Sequence, residues 1–219
     1  MTAFQITWFT VLCATGATLL ILPVGVPLAW LLARRRFRGR AILEAIVTLP
    51  LVVPPVATGL LLLILFSRRG FIGGILERVG VDIVFTWKAV VLAMAVMGLP
   101  LLVRTGRAGF EQVNTRYESV AATLGASPLR VFFTISLPLA WPAVLAGAVL
   151  AFARALGEFG ATIVVAGSIP GVTRTLAVAI YGYTETGQDR QAMMLVAIAV
   201  VIAFAALWIS NRLVERRSR

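Results

Sequence analysis

Histidine is absent from the 219 residues, and cysteine occurs once, as Cys13. A His-ligated metal, a His-based catalytic dyad, a Cys-x-x-Cys pair and an intrachain disulfide are thereby excluded, and most enzyme classes go with them. Charge is scarce as well: 13% of residues are charged and 60% are apolar, against about 25% and about 45 to 50% in soluble domains. No G-x-x-x-x-G-K-[ST] phosphate loop is present, so any ATP hydrolysis belongs to another chain. Acidic residues are few, nine against twenty Lys and Arg, leaving a net charge of +11. In a soluble protein that excess suggests nucleic acid. Here the bases sit in short clusters between long apolar runs, and the charge reports membrane topology first.

A helix crossing about 30 Å of hydrocarbon needs roughly 20 apolar residues. Five stretches qualify, at about 7–33, 41–66, 83–103, 139–166 and 192–210, and they predict an all-α polytopic membrane protein forming a single transmembrane domain over 1–219. The first stretch has no basic residue ahead of it, which favours a permanent anchor over a cleaved signal peptide. Arg34, Arg35, Arg36, Arg38, Arg40, Arg104, Arg107, Arg116, Arg130, Arg212, Arg216, Arg217 and Arg219 fall on one side of the five spans. Arg68, Arg69, Arg78, Lys88, Arg174 and Arg190 fall on the other. The positive-inside rule then puts the N-terminus outside and the C-terminus in the cytoplasm.

The longest cytoplasmic connection, 104–138, has a helical pattern. It reads Glu118-Ser-Val-Ala121-Ala122-Thr-Leu-Gly125, then nine residues, then Ile135-Ser-Leu137-Pro138. This predicts a short helix with a small-residue face, a glycine turn at positive φ, and a second amphipathic segment that Ser127 caps and Pro128 opens. Taken singly, these features also fit an amphipathic hairpin lying on lipid.

In combination, the loop resembles the "EAA" loop of the integral-membrane subunits of ABC importers. Gly125, Ile135, Leu137 and Pro138 match its spacing, while Glu118 stands seven rather than six residues before the glycine, with Ser119 in the expected place. On a helix that shift is about 100° of rotation. More widely, Leu49-Pro-Leu-Val-Val-Pro-Pro55, Arg68-Arg-Gly-Phe-Ile-Gly73, Leu124-Gly-Ala-Ser-Pro-Leu-Arg-Val-Phe-Phe-Thr-Ile135 and Phe152-Ala-Arg-Ala-Leu-Gly-Glu-Phe-Gly-Ala-Thr162 look like the permeases of molybdate importers. The resemblance implies a MetI-like fold and a permease homodimer in a bacterial cytoplasmic membrane. It also implies two cytoplasmic ATPase subunits that bind ATP and Mg, an extracytoplasmic molybdate-binding protein, and no cofactor in this chain. Under it, Glu118, Ala121, Ala122, Gly125, Ser127, Pro128, Ile135, Leu137 and Pro138 form the ATPase-coupling loop. A tungstate or sulfate importer is the alternative within the class, and a stand-alone secondary transporter or channel the alternative outside it.

Two further features stand out within the spans. Pro50, Pro54 and Pro55 remove helical hydrogen bonds at membrane depth, which makes Leu49 to Pro55 a candidate pathway lining or hinge, or else a packed kink. Arg154 and Glu158 are the one pair of opposite charges inside a span; four residues apart, they are expected to share a helix face and to act as a gate, an anion contact or a structural pair. Gly157 and Gly160 beside them read as close-packing positions. Outside the membrane, Arg68 and Arg69 dock a binding protein, attract an anion, or simply flank a span end and snorkel.

Overall fold

Thr2 and Gln5 close a capping box at the start of the first helix, each side chain taking up the other's backbone N–H. From there the apolar run holds α1 (Ala3–Arg34) unbroken through Pro23 and Pro27. The computed structural model describes residues 1–218, so that Arg219 of the closing basic cluster lies outside the described residues. After α1 come α2 (Arg40–Val52), α3 (Pro55–Phe66), α4 (Phe71–Arg78), α5 (Trp87–Gln112), α6 (Thr115–Thr123), α7 (Pro128–Val131), a π-helical turn over Phe132–Ser136, α8 (Leu137–Leu156), α9 (Gly160–Val165), α10 (Leu176–Glu185) and α11 (Asp189–Ser218). Every regular element among the described residues is helical.

Four helices, α1, α5, the α7–α8 rod and α11, are each long and apolar enough to cross a membrane. The fifth expected stretch, 41–66, is not one rod. It forms α2 and α3, bent by 113° at Val53 and Pro54. The cause is local: Pro54 and Pro55 have no N–H to give the carbonyls of Pro50 and Leu51, and a residue before proline is driven into extended geometry, as Val53 is at φ −70°, ψ 138°. Single prolines do not have this effect. Pro100 stays inside α5, and Pro142 lies in the body of α8, which starts well before it. The stretch 139–166 is also interrupted, with helix only to Leu156 and then α9 after Gly157, Glu158 and Phe159. The connection 104–138 contains the end of α5 and the beginning of the α7–α8 rod, and the segment between Gly167 and Arg190 holds α10 between turns at Gly171 and Gly187, both at positive φ.

The core is built where α1, α5 and α8 cross. Small residues make the contact: Ala14, Ala17, Ala29, Ala89, Ala93 and Ala151 are at most 1% exposed. A Cβ on Gly147 would lie 3.2 Å from Leu102, and one on Gly25 would lie 2.7 Å from Leu102 Cδ2. Without a hydrophobic force between helices in lipid, such close backbone approach supplies the dispersion contacts that hold a bundle. At one end of the bundle, Thr10 accepts a hydrogen bond from the Leu176 N–H at 2.9 Å and ties α10 to the beginning of α1. At the other end, Arg107 of α5 pairs with Glu44 of α2 and with Glu111 at 2.7 Å. The N-terminus and α6 therefore lie at opposite ends of the bundle.

Candidate functional site

The two interrupted spans meet each other at their breaks. Just past the first, a Cβ on Gly59 would come 2.7 Å from the Ala161 carbonyl oxygen; just past the second, a Cβ on Gly160 would come 2.7 Å from Pro55 Cβ. Glycine at both positions is what lets α3 and α9 touch. Pro54 and Pro55 are exposed overall although Pro55 Cβ faces Gly160; Leu49, Val52 and Val56 are exposed too, Val52 at 82%, while Pro50 is half-buried in α2.

Arg154 and Glu158 come together at the second break, their Nη1 and Oε2 atoms 2.7 Å apart. They do not share a helix, since Glu158 lies beyond the last residue of α8. The carboxylate instead reaches forward: its Oε1 accepts the Ala161 N–H at 2.7 Å and caps α9, where negative charge suits the N-terminal end of the helix. Glu158 is 1% exposed, and the Arg154 side chain is 28% exposed. Oε2 has no well-aligned hydrogen-bond donor among the described residues, so the pair is held by charge more than by hydrogen-bond geometry. Phe159 fixes the far side of the break, its ring 4.9 Å from that of Tyr181 in α10.

The loop residues form a second site at the α6 end of the bundle. Asn114 caps α6, Gly125 turns the chain at φ +83°, Ser127 accepts the Arg130 N–H at 3.4 Å, and Pro128 opens α7. The structure brings Ala121, Ile135 and Pro138 into one groove of about 580 Å³ with Val120, Leu124 and Leu139. Ala122 faces solvent, and Leu137 packs against the core. Glu118 does not point outward with the exposed loop residues. Its Oε1 accepts from Arg34 Nε at 3.0 Å and from Ser136 Oγ at 2.7 Å. Neither partner was singled out by the sequence: Arg34 reads as one base in a topology cluster, and it lies 84 positions from Glu118. Beneath the loop, Phe132 stacks with Phe110 at 6.1 Å and meets Trp30 edge-on at 5.5 Å, an aromatic seam that the helical pattern hinted at only through its apolar spacing. At the opposite end of the bundle, Arg68 pairs with Asp82 at 3.1 Å, which raises its pKa further, so its charge is internally matched.

Comparison with known proteins places this arrangement. The chain is 46% identical over 209 residues to the molybdenum transport system permease protein ModB of Escherichia coli K12, covering 93% of this chain and 91% of the relative. It is 35% identical over 210 residues to the sulfate transport system permease protein CysT of Salmonella typhimurium, covering 96% and 76%. Among solved structures, the MetNI methionine ABC transporter in an inward-facing conformation superposes with a TM-score of 0.78 at 19% identity, over 99% of this chain and 96% of that one. Residues 25–219 match the family of binding-protein-dependent transport system inner membrane components. The chain is therefore a member of that family, an ABC transporter permease subunit with the MetI-like fold.

Proposed function

We propose that the chain moves molybdate across a bacterial cytoplasmic membrane as the transmembrane half of an ATP-driven importer. It works as a homodimer with two cytoplasmic ATPase subunits and an extracytoplasmic binding protein. The observation that carries the substrate is the nearer likeness to a molybdenum permease than to a sulfate permease, over most of the chain.

The geometry supports transport at the crossing of the broken spans. The Pro50 and Leu51 carbonyls cannot face hydrocarbon unsatisfied, so the exposed Val52 to Val56 surface needs a second copy or a wet pathway against it. A pathway along the dimer axis meets both needs. Arg154 stands one break away and supplies positive potential, with its orientation set by Glu158. Flexing at the two breaks lets α2 and α8 tilt against α3 and α9, which is the movement alternating access requires. At the other end, Tyr117, Val120, Leu124, Leu129 and Phe133 present an exposed apolar surface in the basic half of the molecule, the side the positive-inside rule puts in the cytoplasm. An ATPase subunit docks there, with Ala121, Ala122, Gly125, Ser127, Pro128, Ile135, Leu137 and Pro138 shaping the contact. ATP and Mg stay with that subunit.

Uptake of labelled molybdate by cells lacking the chain tests this reading. Uptake is expected to vanish and to return with the restored chain, and excess sulfate is expected to leave it largely unchanged. Lost sulfate uptake with molybdate unaffected would reject the substrate.

A further inference from the structure

Helix α6 has almost nothing of its own to hold it in place. None of its described residues is buried; Val120 is 57% exposed, and Leu124 at its C-cap is 83% exposed. A nine-residue helix is marginal in isolation. Among the described residues, its side-chain hydrogen bonds to the other helices run through Glu118. Arg34, in the last turn of α1, puts both Nε and Nη2 at 3.0 Å from Glu118 Oε1, and Nη2 also donates to the Val113 carbonyl at the end of α5, at 2.8 Å. Ser136, the last residue of the π-turn that leads into α8 and itself 1% exposed, donates to the same Oε1 at 2.7 Å. One carboxylate oxygen thus gathers donors from α1 and from the entrance to α8, while the guanidinium it holds grips α5. These are the three helices of the core crossing. The Arg34 and Glu118 side chains are only 11% and 19% exposed, which shields the pair from salt better than a surface bridge.

We propose that Arg34, Glu118 and Ser136 form a coupling clasp, a set of positioning residues that carries displacement of α6 into α1, α5 and α8. The proposal rests on the importer reading above. A docking helix tethered only by the Asn114 cap and the Gly125 turn would pivot when pulled, and the motion would be spent there. Coupling between distant sites needs a contiguous link with few free joints, and the clasp removes the free joint. It also accounts for the displaced acid: seven residues before Gly125 rather than six, the carboxylate is rotated about 100° around the helix, toward the bundle rather than along the outer face.

The test uses the full permease with its ATPase subunit, reconstituted in vesicles. Arg34→Met and Ser136→Ala are expected to capture the ATPase and retain its basal hydrolysis. Both should lose stimulation by molybdate-loaded binding protein and move about tenfold fewer anions per ATP, within the range typical of allosteric coupling. The exchange Arg34→Glu with Glu118→Arg should restore part of that stimulation, because opposite charges face each other again and the Ser136 hydroxyl can accept as well as donate. Wild-type stimulation and stoichiometry in Arg34→Met would overturn the clasp. So would a loss of ATPase capture that the exchange does not repair, since Glu118 would then be a docking contact or a purely structural staple. If the unaltered permease captures no ATPase, the importer reading falls and takes the clasp with it.

Discussion

Glu158 serves two neighbours with two oxygens, one capping α9 and the other facing Arg154. This division makes the pair asymmetric. Arg154→Ala strands a carboxylate that is 1% exposed, and removing one partner of a buried pair costs about 3 kcal/mol or more. Glu158→Gln keeps the cap through its amide oxygen and leaves behind an arginine with partial access to solvent. We expect Arg154→Ala to reduce the yield of folded permease more than Glu158→Gln does. We further expect Arg154→Met with Glu158→Gln to recover more than Arg154→Met with Glu158→Leu, by about 1 kcal/mol for the cap. Thermal unfolding of the purified variants ranks them, and equal midpoints for the two double variants would reject the capping role. The closeness of this pair is legible in the sequence because four residues separate its members. The end of the helix between them is less so, since Gly157 reads equally well as a packing residue. The Arg34–Glu118 contact is not legible at all: no local period connects positions 84 apart, and only the packing of α1 against α5 brings them together.

Among the elements, the turn between α6 and α7 is the one whose geometry the sequence specifies most fully. Gly125 takes φ +83°, and a Cβ there would meet nothing within 4 Å, so the cost of a side chain is torsional rather than steric. Gly125→Val is expected to destabilise the turn by about 1 to 2 kcal/mol and to abolish substrate-stimulated ATP hydrolysis, whereas Gly125→Asn, tolerant of left-handed geometry, should retain most of it. Equal hydrolysis in both variants would show that the turn has no part in coupling. The apolar runs identify the helical spans because a stretch of about 20 apolar residues has few other uses. They do not reveal where two of those spans break. Proline at 23, 27, 100 and 142 is absorbed within continuous helices, and only the adjacent pair Pro54 and Pro55, which leaves two successive carbonyls without partners, bends the chain. Helix α10 is hidden in the sequence for a different reason: its apolar side chains are shared with α1 and α11, and the glycine turns on either side dominate the local pattern.

For the molecule as a whole, sidedness is the property that binds these elements into one device. The basic clusters at Arg34 to Arg40 and at Arg104 to Arg130 occupy the α6 end, and Thr10, α4 and α10 occupy the other. In a Cys13→Ser background, single cysteines at the exposed positions Arg36 and Ser127 should react with an impermeant thiol reagent only after the membrane is opened, and cysteines at Glu77 and Pro170 should react in intact spheroplasts. The reverse pattern would turn the molecule over and put the α6 surface outside the cytoplasm, against the proposed ATPase docking there. The π-turn at Phe132–Ser136 sets a phase between the two ends of this device. It closes with the Leu137 N–H bonded to the Phe132 carbonyl, one residue more than an α-helical turn holds, and one residue corresponds to about 100° of rotation. The rod from Pro128 to Leu156 thus presents its Pro128 end and its Arg154 end at an angle that a regular helix of the same length would not give. Hybrid permeases spliced within 128–136 must preserve the residue count to keep those ends in phase, while splices within 139–156 need only respect the ordinary helical period.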